Sequence, residues 1–476
     1  MKIQIEMRIV FLFFLFLIPG FVSSQGLQIE VNLEMAAGQK VKLAHHYLGN
    51  IYLDDSVKLD ANGKGIFKRD TLVHQGLYKI YLDEKNHFDF LLGADQQLSI
   101  SNPTFNAETV TVTGATETEE FFKYIHFLDK LRKESADIKE KMNSANATEK
   151  EELQAKLEAL NPLVKQYWFQ KQEEFPNTFL SAFLLANYVP ELEISSLPEE
   201  IQKNDSLLLL KRFYYQRQHF WDYFDYKDER LLYTPFYKPK LETWFTKVLF
   251  QTYDSVRIPV FNFIEDVRPN KRIFQFVCSW FLNSSINSNI MGMDALFVDL
   301  ARAYYLSGEA FWTTEETMKV IRENVIFIEQ NLIGEKAPKL NLENVDGEYV
   351  DLYKINASAI VVIIFEPNCS HCKEFVPKFH DDVYQKYKDK GLSVYAIYSM
   401  DDKDEWTEFL TKHNLYDWIN VWDPENLSNF KISYDARKTP GIYVLDKDKI
   451  IFAKKLTVEQ LDEVIGKLLS EQNSVQ

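Results

Sequence analysis

The chain is 476 residues long, more than one ordinary hydrophobic core organises, so two to four domains are expected. Hydrophobic residues at 46% and charged residues at 26% give a globular balance and not a disordered one. A formal net charge of -16 argues against a nucleic-acid partner, because phosphate backbones are held by basic faces, and it disfavours anionic membrane surfaces.

Residues 1–24 read as an export signal. Lys2 and Arg8 give a positive start that Glu6 dilutes, and residues 9–18 are an unbroken apolar run too short to span a bilayer comfortably. Pro19 and Gly20 break the run. Val22-Ser23-Ser24 then supplies the small residues of a cleavage site, so the mature chain is expected to begin at Gln25. The competing reading is an uncleaved anchor, and the short run counts against it. No cysteine lies near the site for lipid attachment. The expectation is a periplasmic or cell-envelope protein with no stable membrane insertion after cleavage. Its only cysteines are Cys278, Cys369 and Cys372, too few for a structural disulfide framework in an exported chain of this size.

Residues 25–115 carry strand patterns. The stretches 27–33 and 76–82 alternate strictly, and turn signals stand at Gly49-Asn50, at Asp60 to Gly63 and at Gly93 to Asp95. Short strands at this spacing predict a small β-sandwich. The stretch resembles the β-rich N-terminal module of many envelope thioredoxin-like proteins of Gram-negative bacteria, a likeness that implies no chemistry.

Residues 116–332 change to helical periodicity. Thr116 and Glu119 have the spacing of a capping box, and Phe121, Ile125, Leu128, Leu131, Ile138 and Met142 recur on one face. Prolines at 162, 176, 190 and 198 interrupt the pattern. Aromatic clusters at 212–215 and 219–226 are read as packing anchors of an all-α domain, with a ligand groove as the sharper alternative. The stretches WDYFDYKDERLLYTPFY, from Trp221, and MGMDALFVDLARAYY, from Met291, resemble a helical domain of unknown function that commonly precedes a thioredoxin-like domain. Cys278 sits in an apolar helical run and is expected to be a buried, inert thiol.

Residues 333–476 alternate strand and helix. A hairpin is expected at Asp346-Gly347, a buried strand over 359–365, a helix from the cysteines to about Lys388, and a strand over 392–399. A helix from Asp402 to His413, a hairpin across Asp446 to Asp448 and a final helix capped by Thr457 complete the pattern, an α/β order of the thioredoxin-like kind. The fold class expected for the whole chain is therefore multidomain: N-terminal β-sandwich, all-α middle domain, C-terminal α/β thioredoxin-like fold.

The chemistry concentrates at Cys369-Ser370-His371-Cys372. A strand feeding this motif into a helix sets the first sulfur at the helix N-terminus, where unpaired N–H groups and the macrodipole stabilise a thiolate. Cys369 is therefore expected to attack a disulfide and Cys372, one turn inward, to resolve the mixed disulfide. A partly protonated His371 would lower the Cys369 pKa further. On a scale from about -270 mV for thioredoxin to about -120 mV for DsbA, that favours the middle or upper part.

These residues resemble TlpA-type thioredoxin-like envelope oxidoreductases over about 334–472. GEKAP from Gly334 matches that family's opening, FEPNCSHC from Phe365 its active-site strand and turn, and Pro377 the proline of its active-site helix. The resemblance implies a cis-proline at Thr439-Pro440 beside the dithiol, with Thr439 offering backbone to an extended substrate. It implies disulfide-containing exported proteins as substrates, apocytochrome c among the conceivable clients, and a membrane thiol-relay protein as electron donor. Departures exist. Ile363 stands where thioredoxins bury an acid, Asn368 replaces an aromatic, and Phe375 stands where such reductases often place Glu. Glu366 or Glu374 is left as the candidate proton acceptor for Cys372.

Other chemistries fit less well. A peroxidase pattern would need Pro and Thr or Ser where Val362 and Glu366 stand. Haem attachment would need His where Lys373 stands, and zinc would need a second cysteine pair. Copper on Cys369, Cys372 and a distant His has nothing to mark the His. No cofactor and no metal are expected. The rival from another class is an envelope binding or assembly protein that uses the thioredoxin-like domain as a scaffold.

Overall fold

The computed structural model describes residues 26–473; the expected export signal and its cleavage point at Gln25 lie outside them. The chain forms two compact units that divide after Leu241, inside the stretch read as one helical domain. Among the described residues no helix is long and apolar enough to cross a membrane.

The first unit opens with eight strands: β1 (Gln28–Asn32), β2 (Lys40–Tyr47), β3 (Asn50–Lys58), β4 (Lys64–Lys68), β5 (Gly76–Tyr81), β6 (His87–Leu92), β7 (Gln97–Ser101) and β8 (Thr111–Thr113). They build two four-stranded sheets, in the orders β4-β1-β7-β8 and β3-β2-β5-β6. In β1 the alternation does what it promises: Ile29 and Val31 are buried while Glu30 faces out. The helix Thr116–Ser144 follows.

The capping box expected at Thr116 does not form. Thr116 is already helical, and the cap position falls to Ala115, which has no acceptor to offer. Glu119 turns back to the Gly114 N–H at 3.1 Å instead. Glu117 does the joining work, accepting from the Ala94 N–H at 3.0 Å and the Leu180 N–H at 2.8 Å. The aromatic clusters split by position. Phe220, Phe224 and Tyr237 are buried, whereas the helix Asp205–His219, which carries Phe213 and Tyr214, buries none of its residues.

The second unit starts with helices, principally Tyr253–Val267, Lys271–Ile286, Met293–Leu300 and Glu315–Ile328. Trp244, Phe263 and Phe281 pack at their centre. Cys278 is buried on the second of these helices, and burial pushes its thiol well up.

Seven strands follow: β9 (Asn341–Asn344), β10 (Tyr349–Asp351), β11 (Ala359–Phe365), β12 (Leu392–Tyr398), β13 (Ile419–Trp422), β14 (Gly441–Asp446) and β15 (Ile451–Lys454). Their order is β10-β9-β13-β12-β11-β14-β15. β11 runs parallel to β12 and antiparallel to β14. Every residue of β11 is buried. Val361, Ile363 and Phe365 join the core under the active-site and C-terminal helices, while Ile360, Val362 and Ile364 pack on the opposite face with Tyr395, Tyr434 and Tyr443. The expected cap at Thr457 forms as a reciprocal pair, Gln460 N–H to Thr457 Oγ1 and Thr457 N–H to Gln460 Oε1. Along the chain, a β-rich N-terminal region is followed by a helical middle and a C-terminal thioredoxin-like α/β domain.

The helical segment of this unit is fastened to the sheet by buried charge. Lys454 on β15 is 2% exposed and sits 2.8 Å from Asp294 of helix Met293–Leu300. Its ammonium also donates to Asn331 O at 2.7 Å and Asn331 Oδ1 at 3.0 Å, and Asn331 donates to Ser433 O at 3.0 Å. Removing Lys454 leaves the buried Asp294 with only the exposed Lys455, at 3.5 Å, as a counter-charge. Lys454→Met is expected to destabilise the unit by about 3–5 kcal/mol in urea unfolding, with Asp294→Leu in addition restoring most of the loss. Breaking the exposed Lys386–Asp462 pair should cost under about 1 kcal/mol.

Candidate active site

β11 ends at Phe365, and the chain turns through Glu366, Pro367 and Asn368 into the helix Ser370–Phe379. The Cys369 N–H closes this turn on Glu366 O at 3.1 Å. Cys369 is the N-cap residue in an extended conformation, and its carbonyl accepts the first helical bond from the Lys373 N–H at 3.1 Å. Asn368 is pinned by Glu405, which also accepts from the Tyr398 hydroxyl at 2.8 Å. The turn is therefore tied to the sheet and to the helix Lys403–His413.

The two thiols, both free, differ sharply in surroundings. Cys369 is partly exposed, with Sγ 3.5 Å from the carbonyl oxygen of Thr439. The Thr439-Pro440 peptide bond is cis and leads directly into β14. Cys372 is fully buried in the core that holds Ile363. Burial opposes ionisation of Cys369. Hydrogen bonds from the Thr439 side chain, from the Cys372 backbone and thiol and from the His371 backbone outweigh it, and the thiol falls to about 7. Burial dominates at Cys372. Helped by the neighbouring Cys369 and resisted by the Glu366 N–H, it pushes that thiol up to about 12.

The other expected site residues fall in different places. His371 acts on Cys369 through its backbone N–H, and its exposed side chain lines a cavity beside the helix. Glu374 is exposed and lines the same cavity. Glu366 meets Cys372 through its backbone, while its carboxylate accepts from the Ser399 hydroxyl at 3.3 Å. Phe375, at the position where the resemblance implies Glu, stacks on Phe379 with ring centroids 6.1 Å apart. Ser399 and Glu405 were not read from the sequence. Ser399 lies just beyond the C-terminal end of β12, where an α/β sheet gathers its site residues, and Glu405 lies on the helix that follows. Among the described residues, no group of His, Cys, Asp and Glu is placed to hold a metal ion.

Residues 333–454 match the model of the AhpC/TSA family. The C-terminal region is an AhpC/TSA thioredoxin-like domain. Several solved structures are similar to it. A domain of a possible thiol-disulfide isomerase from Cytophaga hutchinsonii is 35% identical, over 30% of this chain and 97% of that one, with a TM-score of 0.28. The thioredoxin domain of a thiol-disulfide oxidoreductase from Bacteroides vulgatus is 23% identical, over 29% and 97%, with a TM-score of 0.27. A thioredoxin-like protein from Bacteroides caccae is 20% identical over 59% of this chain and 98% of its own, with a TM-score of 0.46. No curated protein matches the chain.

Within the AhpC/TSA domain the difference between the thiols is directly measurable. The thiolate fraction of Cys369 rises as pH rises through about 7, so its alkylation by iodoacetamide is expected to reach half its maximal rate there. A free cysteine does so near about 8.5. Thr439→Val removes one hydrogen bond to the thiolate and should move the midpoint upward. An unshifted midpoint in that variant would remove Thr439 from the list of stabilising groups.

Proposed function

We propose that the protein is an envelope thiol-disulfide oxidoreductase of the TlpA type that reduces or isomerises disulfides of exported proteins. The observation that supports this most is the pairing of one accessible thiol lowered to about 7 with one buried thiol raised to about 12, a single helical turn apart. A dithiol needs that division of labour: one sulfur ionised and reachable, the other held back until the first has reacted.

The Cys369 thiolate attacks one sulfur of the substrate disulfide. The Cys369–substrate bond forms as the substrate S–S bond breaks, and the departing substrate thiolate takes a proton. Cys372 then loses its proton and attacks Cys369 Sγ. The Cys369–Cys372 disulfide forms, the second substrate thiol leaves protonated, and two electrons have passed to the substrate. Thr439 and Pro440 hold the substrate strand, and Glu366, whose backbone meets Cys372 and whose carboxylate is hydrogen-bonded to Ser399, is the candidate acceptor for the Cys372 proton. A dithiol donor, which the family likeness suggests is a membrane thiol-relay protein, returns the two electrons. Apocytochrome c is one conceivable client.

A peroxide-reducing site has less support. Val362, at the position where that pattern needs Pro, is buried in the β11 core, and Glu366, where it needs a hydroxyl, is an acid. The rival reading is an envelope binding or assembly protein with a redox-silent scaffold, and experiment separates it from ours. Cys369→Ser should abolish turnover of protein disulfides, and Cys372→Ser should accumulate a substrate mixed disulfide on Cys369. A reduction potential below roughly -220 mV supports a reductase, and one near about -150 mV an isomerase or oxidant. A pair that never closes under glutathione titration leaves only the scaffold reading.

A further inference from the structure

Beside the dithiol, beginning at His371 and Pro440, lies a cavity of about 830 Å3 in the second unit. Its two walls belong to different parts of that unit. The thioredoxin-like wall presents Phe375 from the active-site helix and Ile442 from β14. The facing wall is helical. Ile286 and Asn287 come from the end of helix Lys271–Ile286, and Asn324 and Ile328 from helix Glu315–Ile328. The volume falls in the range of roughly 300–1,000 Å3 typical of ligand sites.

The helical wall is held in place. Arg437, two residues before Thr439, donates to Asn324 Oδ1 at 2.7 Å, and its guanidinium lies 4.4 Å from the Phe327 ring centroid. The buried Lys454–Asp294 pair ties the neighbouring helix Met293–Leu300 to β15. Two pairs of charges at the cavity answer one another, Arg437 with Asp435 at 2.5 Å and Lys378 with Glu459, while Glu374, Lys438 and Lys455 also line it. The apolar surface comes from the half-buried Ile286, Phe375 and Leu456, backed by the buried Ile328, Ile442 and Val458.

We propose that this cleft selects the client: it receives an extended polypeptide segment whose cysteine lies at Cys369 and whose neighbouring side chain is large and apolar, with Ile286 and Asn287 of the helical wall deciding the fit. The proposal rests on the reading of Cys369 as the attacking thiol. It gives the helical segment a recognition role that the thioredoxin-like domain does not fill alone. The volume suits a peptide segment better than a small thiol, and the half-buried Ile286, Phe375 and Leu456 give a large apolar side chain a surface to meet.

The test separates binding from chemistry. Short fluorescent peptides with Ser in place of the cysteine, and either Leu or Ser beside it, are titrated onto the full-length protein by anisotropy. The Leu peptide is expected to bind at least about tenfold more tightly. Asn287→Trp, which fills the cleft from an exposed position, should erase that preference, and Ile286→Ser should reduce it. Asn283→Trp, exposed on the same helix outside the cleft, should preserve it. Circular dichroism confirms that each variant is folded. Equal binding of the two peptides, or a preference that survives Asn287→Trp, overturns the proposal. The same peptides with cysteine, supplied as disulfides, report the chemistry separately. Discrimination in binding without disulfide exchange refutes the redox reading while the cleft still recognises peptide. Exchange without discrimination refutes the cleft.

Discussion

Strand β11 has no polar face. Seven consecutive buried residues, Ala359–Phe365, oblige the chain to cover both sides of the sheet, with helices on one face and the Tyr395, Tyr434 and Tyr443 layer on the other. Backbone pairing on both edges, to β12 and to β14, then leaves only its C-terminal end free to turn toward solvent. The dithiol sits at that end. Thr439-Pro440 arrives beside it because β14 must pair with β11 from its first residue, Gly441 opposite Ile364. The site is a consequence of where a wholly apolar strand is allowed to stop.

The same burial sets the electrostatics. With Ile363 where thioredoxins place an acid, nothing polar from the strand approaches Cys372, and desolvation governs that sulfur. Cys369, at the helix cap, lies among backbone donors and the Thr439 side chain, and there hydrogen bonding governs. Two sulfurs one turn apart thus answer to opposite terms of the same balance. The Thr439 side chain, the Cys372 backbone and thiol and the His371 backbone share that tuning.

What the sequence made legible was local. The β11 run, the hairpin turns, the Thr457 cap and the CSHC junction each declare themselves within a few neighbouring residues, and each is present. β13 was missed because it has four residues and buries a polar one, Asn420, whose amide is satisfied by Leu415 O and Trp418 O. Alternation cannot signal such a strand. Thr116 misled because a capping box depends on a one-residue choice of helix start that spacing does not decide. Glu366 and Glu374 are close to the cysteines in sequence; in the fold the first is hydrogen-bonded to Ser399 and the second is exposed at the cavity beside the dithiol. The partners that matter, Ser399, Glu405 and Arg437, come from distant positions that only the fold brings near.

The Asp294–Lys454 pair changes what counts as a separable part. A charge pattern read along the chain takes both for surface residues, yet each is buried against the other across the boundary at residue 333. Cutting the chain there would leave an ammonium on β15 without its counter-ion and strip the cleft of its helical wall. A C-terminal fragment could keep its dithiol and still differ from the parent in stability and in the company it keeps. In this protein the seam between two sequence regions lies inside one piece of physical structure.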